Sequence, residues 1–201
     1  MSETDRALQL ASRDAPNTAS RITLLQSEQL DADQARVYAE VVSGPRGVVR
    51  GPVLLWLHSP ELASRAQRLG EFLRWGTVLE PRLSELAILV TARHSTCHYI
   101  WFNHVKLALE NGLDAEVVNA IRERGTPRFA REDEAAVYDF ASEVLTTHRI
   151  SDATLERVKR LFGERGAIEL GSIIGHYQHG AITLATAELA LPDGSRACLP
   201  E

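Results

Sequence analysis

This sequence is poor in several of the residues that announce a function. It holds two cysteines, Cys97 and Cys198, far apart in the chain, which excludes a disulfide framework and leaves both to be read as thiols. Lysine and arginine form no cluster and the net charge is −5, so the electrostatic footprint of a nucleic-acid binder is missing. The most apolar stretch, "AIELGSIIGHYQHGAITLATAELAL", is interrupted by Glu169, His176, Gln178, His179 and Glu188, and reads poorly as a membrane span. No segment alternates with a strand period for long, and no internal repeat is evident. The opening "MSETDRALQLASRDAPNTASR" lacks the basic start and apolar middle of a secretory signal, so a cytoplasmic location is expected.

What is present is helical periodicity. Residues 1–20 are polar and aperiodic and are expected to form a flexible arm, with a single helical domain over 21–201. In "LDADQARVYAEVVSG" the apolar positions Ala35, Val37, Tyr38, Val41 and Val42 recur at helical spacing, with Asp31 or Asp33 as cap and Gly44 as stop. Glycines and prolines punctuate "GPRGVVRGPVLLWLHSP" into a loop with a short turn near Val53–His58. Pro60 opens the next helix, and Pro81 begins "RLSELAILVTARHST", whose apolar residues run all round the helix and predict full burial. Three further helices follow, "DAEVVNAIRERG", "REDEAAVYDFASEVLTTH" and "SDATLERVKRLFG", before the long apolar one that stops at Pro192. The fold class is therefore all-α.

The chemistry-bearing residues concentrate in "HSTCHYIWFNH", residues 94–104. Ser95 and Thr96 are good N-cap residues, which would make them the turn of an antiparallel helical hairpin and place Cys97 in the first turn of the second helix. Amide donors and the macrodipole there favour a thiolate, although a buried, inert thiol is an equal alternative. Cys97, Ile100, Trp101 and His104 form one stripe, with Cys97 and His104 about 10 Å apart along the axis, too far for a direct dyad. Glu85 precedes the turn by about as much as His104 follows it, so the two should come level as a carboxylate–imidazole acid/base pair or as a structural ion pair. The pairs His94/His98 and His176/His179 have metal-ligand spacing, but no Asp or Glu completes a motif around them, and no metal is assigned.

With these residues in view, "GPVLLWLHSPELASRAQRLGEFLRWGTVLEPRLSELAILVTAR", "CHYIWFNHVKLALENGL" and "IGHY" resemble the carboxymuconolactone decarboxylase and alkylhydroperoxidase-D-like proteins, from about residue 30 to the C-terminus. The resemblance implies an AhpD-like helical bundle with a central antiparallel hairpin, assembled as a homotrimer or homohexamer. In the family's peroxidase branch a glutamate, a Cys-x-x-Cys and a histidine make a thiol relay. Glu85, Cys97 and His104 fall on that pattern, but Ile100 takes the place of the second cysteine. For the namesake lyase reaction of aromatic catabolism, Arg82 would hold carboxylates while Glu85 and His104 handle protons, without a cofactor. His58, His98, Trp101, His176 and Tyr177 complete the candidate substrate-binding residues.

The reading is thus a cofactor-independent acid/base enzyme for a small carboxylated or lactone-like metabolite. A one-cysteine thiol peroxidase using Cys97 and a non-catalytic small-molecule binding protein are the alternatives. Cys198, in a proline-flanked tail, is read as incidental.

Overall fold

A computed structural model of the chain describes residues 20–192 and 197–201, so nearly all of the expected N-terminal arm lies outside the described residues. Those residues form eight α-helices and one 3-10 turn, Ser27–Gln29, with no strand among them. Within the span expected as one domain, two compact units are distinguished.

The first unit takes in residues up to Glu71 together with residues 182–192 of its described C-terminal part. Helix α1, Ala32–Ser43, starts at a reciprocal capping box in which the Asp31 carboxylate accepts from the Gln34 amide and the Gln34 side chain accepts from the Asp31 amide. Of the two expected caps, Asp31 is the one used. Gly51, at φ 59°, turns the chain into the short α2, Pro52–Trp56, and α3, Pro60–Trp75, opens on proline as expected. Val37, Val41, Val53, Trp56, Leu57 and Ala63 make this unit's core. The Trp56 indole N–H donates to the Thr183 hydroxyl at 2.9 Å, tying the end of the chain's last helix to it.

The second unit, Phe72–Ala181 with Ala197–Glu201, contains the hairpin. Helix α4, Pro81–His94, begins with proline at its first position, and every residue from Arg82 to Arg93 is buried, as its all-round apolar pattern requires. Helix α5 spans His98–Glu110, α6 spans Ala115–Arg122 behind an Asp114 cap, and α7 spans Glu132–Thr147. Helices α5, α6 and α7 all pack on α4. That central position explains why α4 has no solvent face.

The last two expected helices run as one element, α8, Asp152–Ala187, broken at Gly163, whose φ of 71° and ψ of 176° are non-helical. Only glycine adopts that conformation without strain, so the break falls where "SDATLERVKRLFG" ends. Among the described residues, no helix is long and apolar enough to cross a membrane.

Candidate active site

The hairpin turn differs from the expected N-cap arrangement. Ser95 is the C-cap of α4, Thr96 takes a left-handed conformation at φ 46°, and Cys97 itself is the N-cap of α5. The Cys97 amide donates to the Ala92 carbonyl at 2.8 Å and the Thr96 amide to the Arg93 carbonyl at 3.1 Å, the two bonds of a Schellman closure. Ser95 and Thr96 are consumed in ending α4, and none remains to cap α5. A β-branched residue at positive φ is strained, and Thr96 is held there by two guanidinium groups. Arg124 donates to its hydroxyl at 2.9 Å and Arg93 at 3.4 Å.

The turn sets the register of the hairpin and brings Glu85 level with His104. Glu85 Oε2 lies 2.7 Å from His104 Nδ1, with both side chains buried. A carboxylate can only accept, so the imidazole carries a proton on Nδ1, and in the neutral ring Nε2 then presents the lone pair. Among the described residues, Nε2 has no hydrogen-bond partner, and Tyr177 on α8 stands edge-on to the ring with centroids 5.1 Å apart. Trp101, one turn earlier on α5, is buried.

Cys97 is 9% exposed and its thiol behaves differently from the thiolate that a helix start suggested. Burial pushes its pKa up to about 11, against the opposing pull of the Ile100 and Tyr99 backbone amides. Loss of solvation outweighs the amides and dipole that the sequence makes visible.

Arg82 is committed elsewhere. Its guanidinium is buried and bonds Glu134 through Nη1 and Asp133 at 2.7 Å through Nη2, with Glu80 at 3.4 Å. This knot joins the start of α4 to the start of α7, and three carboxylates already surround the cation that was expected to hold a substrate carboxylate. His58 belongs to the first unit, where its Nε2 lies 2.7 Å from the Thr23 carbonyl. His98 accepts the backbone N–H groups of Cys198 and Leu199 on Nδ1, at 3.1 Å each. His176 is half-buried, with its ring edge-on to Tyr177 at 5.6 Å. Of the expected site residues, Glu85, His104 and Tyr177 are brought together. Among the described residues, no three His, Cys, Asp or Glu side chains are placed to hold a metal ion.

Sequence reasoning missed Arg93 and the C-terminal segment. Arg93 is 4% exposed, donating to the Arg122 and Pro200 carbonyls at 2.7 and 3.0 Å. Its only sequence signal is a cation in the last turn of an otherwise apolar helix.

The class defined by this fold is that of the AhpD-like helical proteins. An uncharacterized peroxidase-related protein with an alkylhydroperoxidase AhpD core, from Ralstonia eutropha JMP134, superposes with a TM-score of 0.69 at 17% identity, over 85% of this chain and 91% of that one. A peroxidase-related protein from Silicibacter sp. TM1040 gives 0.67 at 16%, over 88% and 93%. The apo debrominase Bmp8 gives 0.65 at 18%, over 87% and 94%. In sequence, residues 60–143 match the carboxymuconolactone decarboxylase family, a stretch that contains Glu85, Cys97 and His104. No curated protein matches significantly.

Proposed function

We propose that this protein is a cofactor-independent acid/base enzyme, with His104 Nε2 as the proton-transferring atom and Glu85 as the residue that holds the imidazole. The observation that carries the reading is the buried 2.7 Å contact at Nδ1, combined with an Nε2 that has no hydrogen-bond partner among the described residues. Glu85 fixes the tautomer in which Nε2 accepts a proton, and it stabilises the imidazolium that results. A substrate suited to this pair is a carbon acid next to a carbonyl, the class to which a carboxylated γ-lactone belongs. Loss of carbon dioxide from such a lactone leaves a carbanion delocalised into the carbonyl; a His104 imidazolium that has first taken a proton from solvent on Nε2 passes it to the carbanion and returns to the neutral form. Because Arg82 is saturated by carboxylates, the substrate carboxylate is not assigned to it.

The matched family and the lyase chemistry of its name support this reading. A one-cysteine peroxidase would rest on Cys97, and a thiol with a pKa near 11 holds little thiolate at neutral pH.

The test is a panel of carboxylated γ-lactones and organic hydroperoxides offered to the wild type, Glu85→Gln, His104→Gln and Cys97→Ser. The expected result is lactone turnover that falls about 100-fold in the first two variants and persists in the third. Hydroperoxide turnover abolished in Cys97→Ser would establish the peroxidase instead. Lactone binding without product would leave a binding protein.

A further inference from the structure

The five C-terminal residues, Ala197–Glu201, are fastened to the hairpin turn by named bonds. The backbone N–H groups of Cys198 and Leu199 both donate to His98 Nδ1, and Arg93 Nη2 donates to the Pro200 carbonyl. Leu199 is buried between these two anchors. The clamp sets Cys198 Sγ 3.3 Å from the carbonyl oxygen of His98, the residue that follows Cys97. The two cysteines also sense each other electrostatically, since charge on Cys198 raises the Cys97 pKa. Two cysteines separated by a hundred residues of sequence are thus both placed at the start of α5, one as the residue before His98 and the other on the His98 carbonyl. They differ in access, Cys97 being buried and Cys198 half-buried.

We propose that Cys97 and Cys198 form an exchangeable dithiol–disulfide pair, taking a low-molecular-weight disulfide as oxidant. The Cys198 thiolate, the more accessible, attacks one sulfur of the small disulfide. An S–S bond forms to Cys198 and one small thiolate leaves. The Cys97 sulfur, having lost its proton to solvent, then attacks the Cys198 sulfur of the mixed disulfide. The protein disulfide forms and the second small thiolate leaves. The protein loses two electrons and two protons, and the small disulfide is reduced to two thiols. Placing the entry step on Cys198 removes the need for Cys97 to react directly with an outside oxidant, which its burial opposes. The second thiol is supplied by the C-terminal segment, since Ile100 leaves α5 without one. This pair stands apart from the Glu85–His104 reading and does not depend on it.

The experiment treats the full-length protein with oxidised glutathione, quenches with acid, alkylates the remaining thiols and maps the peptides by mass. In the wild type the expected product is a monomer with the Cys97 and Cys198 peptides cross-linked, reversed by dithiothreitol. Cys97→Ser should stall as the glutathione adduct of Cys198. Cys198→Ser should lose the cross-link and slow oxidation of Cys97 by at least about 10-fold. The proposal is overturned if the Cys198 adduct is the stable end point in the wild type. It is overturned equally if Cys97 is oxidised as fast without Cys198, or if the cross-link joins two chains.

Discussion

Two buried ionic groups sit three residues apart on α4 and behave in opposite ways. Arg82 is surrounded by Glu134, Asp133 and Glu80, so its guanidinium is saturated and fastens α4 to α7. Among the described residues Glu85 meets a single partner, His104, whose Nε2 is left without one. A saturated charge can hold a fold together but has nothing left to offer a substrate. A half-satisfied pair costs more to bury and retains a reactive atom.

The largest effect should come from breaking the saturated site. Arg82→Ala leaves buried Glu134 uncompensated and should cost about 3–5 kcal/mol, measured by urea unfolding. Arg82→Met should cost less than Arg82→Ala by restoring packing volume, which would show that Arg82 serves structure. If either variant folds with wild-type stability, the contrast between the two sites is wrong.

The half-satisfied site should respond the other way. Glu85→Gln is nearly isosteric and should lower turnover about 100-fold, about 3 kcal/mol of barrier, while moving the unfolding midpoint little. A substrate-free check is the nitrogen NMR spectrum of His104, which should show one Nδ1–H tautomer in the wild type and a mixture in Glu85→Gln. A mixture already present in the wild type would dissolve the proposed role of Glu85.

Cys97 sharpens the comparison from a third position on the hairpin. With its pKa pushed up to about 11, alkylation by iodoacetamide should be slow at pH 7 and accelerate up to about pH 11. The reverse, fast labelling that levels off near neutrality, would restore the reactive thiolate that the helix-start position suggested.

The helices and the Glu85–His104 register were legible because both follow from periodicity. Burial of α4 can be read from apolar residues on all its faces, and the facing pair from equal distances to one turn. Arg82 was misjudged because a lone arginine after a proline shows nothing of the carboxylates that fifty residues of chain bring back to it. The choice between a reactive and an inert Cys97 was left open by the sequence for a related reason. Helix position is local information, whereas desolvation depends on what packs over the sulfur. Cys198 looked incidental because the short stretch after the last helix has no periodicity, and the bonds to His98 and Arg93 reveal where its end docks.

The smallest expected effect concerns the outermost well-placed carboxylate of the Arg82 knot. Desolvation works upward on the Asp133 carboxyl, but hydrogen bonds from Arg131 and Arg82 outweigh it and hold the pKa below the usual 3.8. A depressed folded pKa means that the stability Asp133 contributes is complete above the unfolded value and is lost as pH falls through the folded one. Asp133→Asn should therefore cost about 1 kcal/mol at neutral pH, since Arg82 keeps Glu134. The gap between wild type and variant should begin to close as pH falls below 3.8 and vanish only below the depressed folded pKa, where the wild-type carboxyl is also neutral. Unfolding curves at pH 7, 5 and 3 (round values about the range that carboxylates titrate in) measure this directly. A gap that stays constant across them would mean that Asp133 acts through packing, and that the saturation of Arg82 rests on Glu134 alone.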